Sequence, residues 1–207
     1  LMLRFVNPPV WAWRMHRVVA PPAESNPKVR HEWVGLERIS PQMQLAVIAA
    51  EDQLFAAHHG FDWEAIFAAI DYNQEGDRTR GGSTITQQTA KNLFLYPARS
   101  YIRKGIEAYF TFLLELLWPK TRILEVYLNI VEFGPNLYGV EAAAHVFFGR
   151  SALDLSRTQA SRLAAALPNP HRYRIQPPSG YVVRRSAWIR QQMRQLGQAT
   201  LNEVSLN

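Results

Sequence analysis

Cysteine is absent from these 207 residues, which removes disulfides, thiolate catalysis and Cys-ligated zinc together. That absence fits a periplasmic and a cytoplasmic address equally. Long apolar runs are missing too: no stretch reaches the roughly eighteen uncharged apolar residues that a bilayer span needs. Strand signals are scarce, and there is neither an internal repeat nor a low-complexity tract. What is present is a chain with 47% apolar residues, which argues against disorder, and long enough for one sizeable core rather than two. Its formal charge of +6 favours an acidic partner. Nucleic acid, anionic lipid headgroups and phosphorylated substrates all qualify on charge alone.

The chain opens on Leu1 rather than Met, which reads as numbering begun inside a longer precursor. Near this end Trp11, Trp13, Arg14, His16 and Arg17 stand among Val10, Val18 and Val19. Indoles mixed with cations suit a headgroup interface, and they suit equally an irregular arm whose tryptophans dock on the core.

Beyond the arm the pattern is helical almost throughout. Ser40 and Pro41 supply a cap and a first-turn proline for an apolar helix over Leu45 to Ala50, at whose carboxyl end Glu51 and Asp52 lie side by side. The negative end of the macrodipole and their mutual repulsion are expected to push a carboxyl pKa upward there. Asp62 caps a second helix through Trp63, Ile66, Phe67 and Ile70, and the polar stretch from Asn73 to Arg80 reads as a mobile loop. After Gly81 and Gly82 a helix from Thr84 to Asn92 sets Gln87 or Gln88 one turn from Lys91. Ser100 caps the longest helix, apolar almost without interruption from Tyr109 to Trp118, with Glu115 its one charge, and cut off by Pro119. Further helices are expected over 123–131, 140–147 and 156–167, the last with a Ser156 to Gln159 capping box, and over 181–196 with a stop at Gly197.

Transfer of a sugar from a diphosphate donor to a hydroxyl needs one general base and positive charge at the leaving group. A glycosidase needs a protonated carboxyl besides. Glu51 and Glu107 are the candidate carboxylates for either scheme. Lys91, Arg99, Arg103 and Lys104 gather around one loop, and each charge-assisted bond to a phosphate oxygen contributes roughly 1.5–3 kcal/mol. The plainer account is an Arg103–Glu107 surface pair with scattered lysines. Gly81 and Gly82 suit a plain turn, and a turn that feeds backbone N–H groups and the hydroxyls of Ser83 and Thr84 toward an anion is a recurrent binding device. His58 reads by default as a structural histidine, Phe55 as core, and Glu125 as an anchor for neighbouring basic side chains.

These residues resemble the motifs of the peptidoglycan glycosyltransferase family, lysozyme-like enzymes that polymerise lipid II. The first motif falls at Glu51-Asp52 with Phe55, His58 and Gly60, and the second at Gly81 to Gln88. The third lies at Arg103-Lys104 with Glu107, the fourth at Lys120, Ile123-Leu124-Glu125 and Tyr127-Leu128-Asn129, and the fifth at Arg162 to Pro170. The resemblance implies a mainly α fold: a lysozyme-like helical head with a smaller, apolar, membrane-facing jaw, for which the 109–118 helix and the segment after Gly60 are candidates. A membrane-proximal arm over 1–30 would precede a single catalytic domain over 31–207, with no room for a transpeptidase domain after it. The implied reaction is inverting polymerisation of lipid II into β-1,4-linked glycan with release of undecaprenyl diphosphate. Glu51 would be the base, and Glu107 would assist at the diphosphate or at a bound Mg²⁺ or Mn²⁺. Asp52, Phe55, His58, Ser83, Thr84, Gln87, Gln88, Lys91, Arg99, Arg103 and Lys104 would line the substrate groove. The implied partners are lipid II, the growing glycan strand, the membrane surface and division or wall-synthesis proteins. The implied address is the periplasmic face of the bacterial inner membrane, with an anchor upstream of Leu1.

Two rivals stand beside this reading. A glycan-cleaving lysozyme-like enzyme shares the fold and one glutamate but has no use for a diphosphate-gripping cluster. A non-catalytic basic module at the membrane surface would need only the charge. Nucleic acid is not an expected partner, because the cations interleave with glutamines and glutamates rather than exposed aromatics.

Overall fold

The computed structural model describes residues 2–20, 28–75, 82–97 and 100–207, so Gly81, Arg99 and most of the expected mobile loop lie outside the described residues. Ser40 does cap the first long helix of the body: its hydroxyl accepts from Gln42 N and donates to Leu155 O at 2.9 Å. That helix, α2 once the amino-terminal α1 (Ala12–Val19) is counted, spans Pro41–Glu51 and is buried from Leu45 through Ala49. Asp62 Oδ1 accepts from Ala65 N and opens α3 (Trp63–Glu75), while Thr84 and Gln87 form a reciprocal capping box at the start of α4 (Ile85–Phe94). Ser100 caps α5 (Tyr101–Leu117), and Pro119 ends it and precedes α6 (Lys120–Ile130). Two further helices follow, α7 (Val140–Phe148) and α8 (Arg157–Ala166), the latter with the expected Ser156–Gln159 box.

The last helix, α9 (Gly180–Leu206), departs from expectation. Gly197 breaks it with φ 66° and ψ −172°, yet the chain resumes helical geometry and buries Thr200, Leu201 and Val204. Tertiary packing therefore overrides a local stop signal. α1 was not foreseen either. It packs on α4 with Trp11, 2% exposed, as its anchor, so the tryptophan here docks on the core. Three very short strands also escaped the sequence: β1 (Arg30–His31), β2 (Glu132–Gly134) and β3 (Leu137–Tyr138) form a sheet ordered β1-β3-β2, the first pair parallel and the second antiparallel.

The core has α6 at its centre, with Ile123, Leu124, Val126, Tyr127, Leu128 and Ile130 all fully buried. On one side α2, α8 and α9 pack on one another, and on the other α4 packs against both α5 and α6. Because α4 ties α5 to this core, no separate apolar jaw is seen among the described residues. What α5 does show is two faces. Glu107, Thr111, Leu114 and Trp118 are buried, whereas Ile102, Ile106, Tyr109, Phe112 and Leu116, spaced by three or four residues, are exposed. Trp63 and Phe67 of α3 are exposed as well. Among the described residues no helix is long and apolar enough to cross a membrane.

Candidate active site

Glu51 is the last residue of α2, and its Oε2 accepts from Gln88 Nε2 of α4 at 2.8 Å. Gln88 is held in turn by the Tyr127 hydroxyl of α6, which donates to its Oε1 at 3.3 Å. Among the described residues only Gln88 donates to Glu51, so a second carboxylate oxygen is available. Burial pushes the Glu51 pKa up; the Gln88 hydrogen bond and the charges of Arg185 and Lys91 oppose it, and Asp52 adds the smallest push. The direction matches expectation, but desolvation is the main cause rather than repulsion between neighbouring carboxylates.

Asp52 follows Glu51 and borders the cavity beside it. Its side chain is enclosed, with Oδ1 accepting from His58 Nε2 at 2.8 Å and Oδ2 from Ile85 N at 2.9 Å. Gly60 N donates to His58 Nδ1, which assigns the proton to Nε2 and makes His58 a strut between Asp52 and the following loop. Phe55 is fully buried beneath the Lys120 ammonium, 4.7 Å from its ring centroid. Thr84 and Gln87 are also buried: the Thr84 hydroxyl donates to Gly60 O at 2.7 Å and accepts from Gln87 N, and Gln87 Oε1 accepts from Thr84 N. The side chains of Asp52, Phe55, His58 and Gln87 thus hold the walls of the site through contacts within the protein. Ser83 is exposed and faces the cavity, where Thr84 contributes to the lining. Glu125 is the anchor it was expected to be, accepting from Arg122 and from Leu36 N.

The cations gather on α4 and α5. Glu107, 3% exposed, accepts from Arg103 Nη1 at 2.8 Å through Oε2 and from the Lys104 ammonium through Oε1. Burial lowers the Lys91 pKa; Glu107 and Glu51 raise it, and Arg103 and Lys104 lower it further. Lys91 therefore feels Glu51 and all three members of the α5 cluster at once. Glu51 and the cations of α4 and α5 therefore lie within electrostatic reach of one another.

A cavity of about 590 Å³ opens beside Glu51, and α9 closes it with Tyr181, Arg185 and Trp188. These three were missed in the sequence. Their spacing of four and three residues, which stacks them on one helix face, was the available signal.

The model of the transglycosylase family matches residues 20–194. The chain belongs to this family. Proteins named biosynthetic peptidoglycan transglycosylase from Shewanella oneidensis and Aeromonas hydrophila are each 63% identical to it, over 99% and 98% of the chain and 88% and 86% of their own lengths. One of the same name from Vibrio parahaemolyticus is 54% identical over 97% of the chain and 89% of its own length.

In this transglycosylase the expected metal position fits poorly. Both oxygens of Glu107 are taken by cationic donors and Lys91 adds a third positive charge nearby, whereas a divalent ion calls for several oxygen ligands unencumbered by cations. Among the described residues the one group of three acidic or histidine side chains close enough to share an ion is Glu32, Glu141 and His145. There Glu141 is already committed to His145 Nε2 and Ala152 N.

Proposed function

We propose that Glu51 is the general base of an inverting glycosyl transfer and that Lys91, Arg103 and Lys104 hold the departing diphosphate. The chain is a peptidoglycan transglycosylase, a glycosyltransferase that extends glycan strands, and its work lies in the cell envelope. Lipid II and the glycan strand are its substrates. The acceptor's 4-hydroxyl gives its proton to Glu51 as its oxygen forms a bond to the donor's anomeric carbon. The bond from that carbon to the diphosphate oxygen breaks, and its electron pair leaves on undecaprenyl diphosphate. An α-linked donor thus yields a β-1,4 linkage. A carboxyl pKa raised by burial improves Glu51 as a base, and the fixed ammonium and guanidinium groups meet the negative charge that grows on the leaving oxygen. Arg99, beyond the described residues, belongs with them by its place in the motif.

In this reading Glu107 positions Arg103 and Lys104 and carries no metal, so no step passes through Mg²⁺ or Mn²⁺. The exposed faces of α3 and α5 rest against lipid at the periplasmic side of the inner membrane, next to the lipid-linked substrate. The observation that carries the proposal is Glu51 held by Gln88, itself one helical turn from Lys91, with Arg103 and Lys104 fixed on Glu107 within electrostatic reach of that lysine. Glu51→Gln tests it. Conversion of labelled lipid II into lysozyme-sensitive polymer should fall by about 10²- to 10⁴-fold with the fold intact. Undiminished polymerisation would remove Glu51 from its role.

A further inference from the structure

Lys91 is the odd member of the cation set. Arg103 and Lys104 are fixed on Glu107, whereas among the described residues the Lys91 ammonium has neither a hydrogen-bond acceptor nor an ion-pair partner, and the carboxylates of Glu107 and Glu51 reach it through their fields alone. A lysine stem carries many rotamers, so an ammonium without a partner has little to fix it. What stands against Lys91 is an indole. The ammonium lies 5.6 Å from the ring centroid of Trp13, within the reach of a cation–π contact. Trp13 comes from α1, which packs on α4, the helix that carries Lys91.

The indole is itself pinned. Its Nε1 donates at 3.0 Å to Oε2 of Glu132, the first residue of β2, and the same oxygen accepts at 3.1 Å from Arg17 Nη2, one turn further along α1. His171, past the end of α8, donates through Nε2 to Glu132 Oε1 at 2.9 Å. Glu132, 6% exposed, thus has both oxygens engaged, and it holds the single polar atom of the Trp13 ring. The Arg17 guanidinium also stands 5.3 Å from that ring centroid, but Glu132 offsets its charge. The Lys91 charge has no such partner. A carboxylate beside Lys91 would fix the ammonium too, yet it would occupy a donor and offset the charge before a diphosphate arrived. A ring face holds the cation while leaving its charge uncompensated and its donors without an oxygen partner.

We propose that Trp13 is a positioning residue for the diphosphate: held at its N–H by Glu132, it offers its ring to the Lys91 ammonium and so makes the amino-terminal helix part of the site. The proposal rests on the assignment of Lys91 to the departing diphosphate. Polymerisation of detergent-solubilised lipid II tests it. Trp13→Leu should lower turnover about threefold to tenfold with the half-saturating lipid II concentration nearly unchanged, because the contact places a charge that acts on the leaving oxygen in the transition state. Trp13→Phe, which keeps a ring, should restore most of the rate. In Lys91→Met, itself far slower than wild type, Trp13→Leu should bring no further loss. A shape-conserving series keeps the test independent of folding: fluorinated tryptophans incorporated at position 13 retain the size and the N–H while weakening the negative face of the ring, and turnover should fall with each fluorine added. Turnover indifferent to fluorination, or an equal Trp13→Leu loss in the Lys91→Met background, would overturn the positioning role while leaving Lys91 at the diphosphate. A Lys91→Met enzyme as fast as the wild type would instead take the lysine away from the diphosphate, and with it the reading on which the role of Trp13 stands.

Discussion

Burial holds the Glu51 carboxyl above its ordinary value of 4.5, and the same desolvation that suits it to take up a proton opposes folding with the charge in place. Below 4.5 the group is neutral in folded and unfolded chains alike, and the stability that goes with the neutral buried form is fully present. As the pH rises the unfolded chain releases its proton first, and this stability is lost by the time the folded value is passed. Glu51→Gln, neutral throughout, should therefore melt at a higher temperature than the wild type, by a few degrees at about pH 7.5 and by almost nothing at about pH 4. Thermal unfolding of both proteins across that range checks it; a gain independent of pH would show that the carboxylate is not destabilised where it stands. Turnover should rise with pH through the same raised midpoint. Glu51 was legible because its position at the end of an apolar helix fixes its depth. The partners of Asp52 were not, because it is the cap of that helix with extended backbone (φ −163°), and that turn sends its side chain to Ile85 N.

Elements are tied around the site by a buried ion pair. Lys120, at the first turn of α6, donates to Glu115 Oε1 of α5 at 2.8 Å and to His58 O at 2.6 Å, and Glu115 accepts from Thr86 of α4 as well. With 4% and 7% of the two side chains exposed, removing one partner strands the other charge. Lys120→Met should destabilise by about 3–5 kcal/mol, and the double variant Lys120→Met with Glu115→Gln should recover much of the loss, as chemical denaturation would show. Full additivity of the two changes would mean that the pair is not coupled. The caps at Ser40, Asp62, Ser100 and Ser156 were readable since each works within four residues of chain. The strands were not. Two- and three-residue segments carry no periodicity, and β1 exists because it pairs with β3 more than a hundred residues away and because Asn129 holds the adjacent Val34 backbone through both N–H and C=O. The same holds for the helical stretch past Gly197, which only its packing specifies.

At the scale of the whole molecule, a chain of formal charge +6 carries a stripe of exposed apolar side chains along α5. The two features act on different parts of a membrane. Charge draws the protein to anionic headgroups over about a Debye length of 8–10 Å and is screened by salt, whereas Tyr109, Phe112 and Leu116 gain only by entering the acyl boundary, which salt does not weaken. Association with vesicles containing phosphatidylglycerol should accordingly fall in two stages. Raising salt to about 0.5 M should remove the electrostatic part and leave a residue. Replacing Tyr109, Phe112 and Leu116 together by serine should remove that residue, a change of about tenfold or more in the salt-resistant affinity from the apolar area lost. These side chains lie on the face opposite Glu107 and Thr111, so polymerisation of detergent-solubilised lipid II should stay near wild type while polymerisation of vesicle-embedded lipid II falls. Vesicle sedimentation at both salt levels, read beside the two polymerisation assays, decides it: salt-resistant binding that survives the triple serine variant would mean that the α5 stripe is not the membrane-contacting surface.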